Sequence, residues 1–111
     1  MPFQWDRRNV EHLSKHNVSP EEAEYVVAHA QPPYPQVMGE GKYLVWGVTA
    51  AGRHLQVIFA FKSPEEVDFF SMDMNDLAEL MQKPDVPVTR VIHAMDLTPA
   101  LKKRFRRRRK P

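Results

Sequence analysis

The sequence predicts an α+β fold, a mostly antiparallel sheet of about four strands with helices packed on it. Three observations lead there. Two helix-start signals near the N-terminus precede apolar residues at helical spacing. The middle holds two runs rich in β-branched and aromatic residues, joined by a turn that contains glycine. The last third returns to strand alternation before a Thr-Pro helix start. Read in order the elements are β-α-α-β-β-β-α-β-α, and 111 residues make a single domain.

Phe3-Gln4-Trp5 reads as a short strand, and Asp6 as the N-cap of a helix over 7–16 that turns Val10 and Leu13 to the core. Asn17 tolerates a left-handed backbone and ends it. Ser19-Pro20-Glu21-Glu22 opens a second helix to about Ala30, with Ser19 and Glu22 as a capping box and Ala23, Val26, Val27 and Ala30 inward. Gln31-Pro32-Pro33 stops it. Residues 34–38 make an edge strand, because Pro35 has no N–H for a ladder. Gly39-Glu40-Gly41 is a turn, and 42–49 with 54–61 form a hairpin across Ala50-Ala51-Gly52. Ser63-Pro64-Glu65-Glu66 repeats the capping signal, 76–82 reads as a short helix, and 83–87 as a linker. The strand 88–95 follows, then a turn at Asp96-Leu97 and a basic helix or tail over 98–111.

The charge is uneven. Eight of the nine residues from 102 to 110 are cationic, so a net charge of +2 leaves −6 on the rest of the chain. An acidic body with a basic tail is unlike a protein that coats nucleic acid all over, but it suits docking the tail on a phosphate backbone or an acidic partner. With no cysteine in the chain, disulfides and thiolate metal sites are excluded. The start MPFQWDRR lacks an apolar leader and no run approaches a membrane span, so a cytoplasmic location without membrane contact is expected.

Four pieces of sequence in order resemble the BrnT-type toxin family. Phe3-x-Trp5-Asp6 and then Lys15-His16-x-Val18-Ser19-x-Glu21-Glu22-Ala23 are similar to its opening. Gly47-x-Thr49 with Gly52-Arg53-x-Leu55-x-Val57 is similar to its hairpin, and Arg90-x-Ile92-His93-Ala94 followed by Thr98 to its closing strand and helix start. The segment 62–87 looks like an insertion. The resemblance implies a RelE-like fold and a metal-independent endoribonuclease, the toxin of a type II toxin–antitoxin pair. It also implies a BrnA-type antitoxin as partner, and a homodimer or toxin–antitoxin heterotetramer as the assembly. The family carries an Arg, an acidic residue and a Tyr where this chain has Met95, Leu101 and Phe105. The alternative expectation is therefore a toxin-fold protein that binds RNA or an antitoxin-like partner without cutting.

Cutting RNA without a metal requires a base for the ribose 2′-OH, cations for the phosphate as it gains charge, and an acid for the leaving 5′-oxygen. Histidine suits either proton role, and Arg and Lys suit the phosphate. The catalytic candidates are His93, His16, Arg53 and Lys15, and the RNA-binding candidates are Arg90, Lys102, Arg104 and Arg106. Simple alternation puts His93 on one strand face with Val91 and Met95, and Arg90 on the other with Ile92, so both enter one site only if the strand is bulged. Trp5 and Phe105 suit base stacking but, as aromatics at such positions, read first as core. His12 and His16 share a helix face, as metal-binding pairs do, but no zincin glutamate lies between them and no third ligand is evident. Neither a metal nor another cofactor is expected.

Overall fold

A computed structural model describes residues 2–62, 74, 75, 78, 81 and 87–109 of the chain. The elements are β1 (Phe3–Gln4), α1 (Arg7–Ser14), α2 (Pro20–Ala28), β2 (Gln36–Gly39), β3 (Lys42–Val48), β4 (His54–Lys62), β5 (Val88–Asp96) and α3 (Pro99–Arg109). The fold is α+β, as expected, with a sheet of five strands among the described residues, in the order β1-β5-β4-β3-β2. Among the described residues β1 pairs with β5 in parallel, and the other pairings are antiparallel. Of the expected helix 76–82, positions 78 and 81 are described and helical, and the rest of that segment lies outside the described residues.

The helix starts follow from local chemistry. Asp6 accepts from the Asn9 N–H at 3.0 Å while the Asn9 side chain accepts from the Asp6 N–H at 2.7 Å, a reciprocal cap. Ser19 and Glu22 do the same for α2 at 3.1 and 3.0 Å. Thr98 caps α3, accepting from the Leu101 N–H at 3.3 Å. α1 ends at Ser14, two residues before the expected stop, and Asn17 adopts φ +55° in the turn that follows. Leu13 is fully buried as expected, but Val10 is 37% exposed, and the second inward position belongs to Asn9. Asn9 is buried because its amide has work there: it donates to the carbonyls of Gln4 at 2.9 Å and Val91 at 3.5 Å, tying α1 to β1 and β5.

The core joins the helices to one sheet face. In register across β3, β4 and β5, Val45, Val57 and Ala94 share that face, as do Tyr43, Phe59 and Val91. Ala23, Val26 and Val27 of α2 are buried in the same cluster. A Cβ on Gly47 would meet Val26 Cγ1 at 2.9 Å, so α2 sits as close as it does because position 47 has no side chain. Phe105 of α3 is buried beside Tyr34 and His54, with ring centroids 6.0 Å from each.

β5 does not alternate simply. Ile58 pairs with His93 and Phe59 with Val91, so Ile92 is an extra residue in β5, a β-bulge. Arg90, His93 and Met95 pair with Ala60, Ile58 and Gln56, alternate residues of β4. The bulge therefore brings Arg90 onto the face of His93 and Met95, and moves Val91 to the opposite face with Ala94. This corrects the unbulged phase, which placed Val91 with His93.

Candidate functional site

The site lies where α1 runs beside β5. His93 stands on the bulged strand, half-buried, between two imidazoles of the α1 region. Its ring centroid is 5.1 Å from that of His16 and 5.6 Å from that of His12, both edge-on. His93 Nδ1 and His12 Nε2 approach to 3.5 Å. His12 stands on α1, His16 in the turn that follows it, and the strand supplies the third ring. Burial lowers the pKa of His93 below the usual 6.5, and the charges of His16 and His12 lower it further. At neutral pH His93 is therefore an uncharged ring able to accept a proton.

His12 also lines a cleft of about 260 Å³, together with Arg8, Asn9, Arg90 and Ile92. Arg8 is exposed there. Arg90 is not a free cation: its guanidinium meets Asp6 at 2.7 Å, and this contact is the main reason the Asp6 pKa is lowered. The bulge thus places Arg90 near the histidines while Asp6 balances its charge.

Arg53 has a different place from the one its sequence position suggests. It holds Asp96 in a two-point grip, Nε to Oδ1 at 2.7 Å and Nη2 to Oδ2 at 2.9 Å. It donates to the carbonyls of His16 at 3.0 Å and Asn17 at 2.6 Å, and reaches Glu22 at 3.2 Å. Its guanidinium ties the end of β5 to the turn between α1 and α2. Arg53 thus fixes the backbone that carries His16. The Asp96 pKa is lowered chiefly by Arg53, with smaller contributions from Lys102 and His16. The Glu22 pKa is lowered first by its bond from the Ser19 N–H and then by Arg53.

Compared with protein-family models, curated proteins and solved structures, the chain matches none.

Of the other candidates, Lys15 is exposed at the C-cap of α1, one residue from His16. Lys102 is half-buried on α3 and acts on Asp96, while Arg104 and Arg106 are exposed on the same helix. Phe105 is 3% exposed and is core, not a stacking platform; Trp5 is partly buried against the core. Sequence reasoning missed Arg8 and undervalued His12. The His12–His16 spacing was visible, but the strand histidine that completes the group comes from 81 residues away from His12. Among the described residues no helix is long and apolar enough to cross a membrane.

Proposed function

We propose that this protein is a metal-independent endoribonuclease, the toxin of a BrnT-type pair, acting in the cytoplasm and neutralised by a BrnA-type antitoxin. Four sequence pieces in family order support the reading, and one observation carries it: neutral His93 faces His16 beside a cleft lined with arginine. In this reading His93 takes the proton of a ribose 2′-OH. The oxygen attacks the adjacent phosphorus, and the 5′-oxygen leaves with a proton from His16, giving a 2′,3′-cyclic phosphate. Lys15 and Arg8 balance the charge gained by the phosphate, and Arg53 holds the His16 turn in place. Arg104 and Arg106, exposed on α3, bind the flanking backbone.

The test is purified protein on a structured RNA in EDTA. Cleavage with cyclic phosphate ends is expected, with His93→Asn and His16→Asn each slowing it by about 10²–10⁴-fold. Intact RNA at high enzyme concentration refutes the reading.

A second reading rests on a specific observation: the two best-placed guanidinium groups, Arg53 and Arg90, are both engaged by carboxylates. With Met95, Leu101 and Phe105 in place of polar family residues, this favours binding RNA or an antitoxin-like chain without turnover. It predicts salt-sensitive RNA binding with no products, because phosphate contacts release counterions.

A further inference from the structure

We propose that His12 and His93 form a chelate for a borderline divalent ion such as Zn2+, with His16 as a third ligand. The metal-binding atoms are His12 Nε2 and His93 Nδ1, which stand 3.5 Å apart. That is close to the spacing of two imidazole nitrogens on one tetrahedral Zn2+, roughly 3.4 Å when each lies about 2.0–2.1 Å from the ion. Neither ring has another hydrogen-bond partner among the described residues, so a metal that binds both nitrogens displaces only the contact between them.

The third ring is already at hand. His16 is exposed in the turn after α1, and its centroid is 5.1 Å from that of His93. Among the described residues no three His, Cys, Asp or Glu side chains already converge on one point. The site is thus a preformed pair that His16 closes by side-chain rotation, with water at the remaining position. His12 and His16 are both exposed, so an ion reaches the pair from solvent without any opening of the core. The ligand set, all imidazole with no thiolate, favours Zn2+, Ni2+ or Cu2+ over Mg2+ or Ca2+, which take oxygen ligands. Nearby Arg8 and Arg90 oppose a divalent charge, although Asp6 offsets Arg90, so moderate rather than tight affinity is expected.

The chelate does not depend on the nuclease reading. If that reading holds, a bound ion ties up His93, the proposed base, and draws in His16, the proposed acid, so Zn2+ inhibits cleavage reversibly.

The experiment is calorimetric titration of the metal-free full chain with Zn2+ at neutral pH. One ion per chain is expected. His12→Asn and His93→Asn should each weaken binding by about tenfold or more, and His16→Asn by less. His29→Asn is the control, because His29 is exposed and its Nδ1 already meets the Tyr25 carbonyl at 2.8 Å; it should bind as the parent does. His12 is exposed, so His12→Asn keeps the test valid even if a substitution at half-buried His93 disturbs folding. Parent-like affinity in His12→Asn, or no saturable binding at millimolar Zn2+, overturns the proposal. Heat is the readout, so a chain that fails to cut RNA still answers the question.

Discussion

Replacing Arg53 by methionine keeps the aliphatic stem and removes the guanidinium. The side chain is 26% exposed, while its partners Glu22 and Asp96 are 30% and 58% exposed, so solvent screens both ion pairs. Each pair then contributes about 0.5 kcal/mol. The bonds to the His16 and Asn17 carbonyls, at 3.0 and 2.6 Å, are charge-assisted and join two loops distant in sequence. Discounted for partial exposure, they contribute about 1 kcal/mol each. The expected loss is about 3 kcal/mol, or roughly 12–15 °C in Tm for a domain of this size. Urea unfolding of Arg53→Met followed by circular dichroism measures it, with an unchanged m-value showing that the folded state is otherwise intact. Arg53→Lys should recover only part of the loss, because an ammonium cannot grip Asp96 at two points. A loss under about 0.5 kcal/mol together with abolished RNA cleavage would refute the reasoning, since a surface arginine outside a tie-point changes stability no more than that. Arg53 would then have to act on the substrate itself.

Other substitutions probe other joints. Gly47→Ala should cost about 1–3 kcal/mol, because the new methyl meets buried Val26 Cγ1 at 2.9 Å; adding Val26→Ala should recover part of that loss in the same unfolding assay. Asn9→Ala should cost about 2–3 kcal/mol, because it removes the side-chain acceptor of the Asp6 N–H, one half of the reciprocal cap, and takes the Asn9 amide donor away from the Gln4 and Val91 carbonyls. His93 gives a pH dependence of known sign. Its folded-state pKa lies below the 6.5 of a free imidazole, so the unfolded chain takes up that proton first as pH falls. Stability is then full above 6.5 and declines below it until folded His93 also protonates, and His93→Asn should flatten that acid-side slope in urea titrations run at a series of pH values.

What the sequence made legible was local. The caps at Asp6 and at Ser19 with Glu22 depend on atoms three residues apart, and the left-handed Asn17 on its own side chain. The strand pattern of β3 and β4 shows directly in their β-branched and aromatic runs, and Phe105 reads as core and is core. The site was legible only as residue types. His93, His16 and Arg53 stand out in the sequence as candidates, but their relations depend on distant pairings. Arg53 meets Asp96 from 43 residues away, and Arg90 meets Asp6 from 84. No local pattern shows that an arginine after a glycine turn will be consumed by carboxylates that far along the chain. Val10 misled for a similar reason. Apolar spacing pointed it inward, but Asn9 took that place because two backbone carbonyls needed a donor that a valine does not have.

The extra residue at Ile92 divides β5 into two segments with separate anchors. Upstream, Arg90 is tethered to Asp6 and Thr89 aligns with Phe3 of β1; downstream, Ala94 lies in the hydrophobic interior and Asp96 is clasped by Arg53. Deleting that one residue would leave both anchors competing for a single uninterrupted pleat. Whichever anchor prevailed, the imidazole or the guanidinium would be rotated away from α1. The geometry of the whole cleft therefore rests on a count of residues rather than on any one side chain, and a one-codon deletion there should do more harm than most substitutions at the positions it serves.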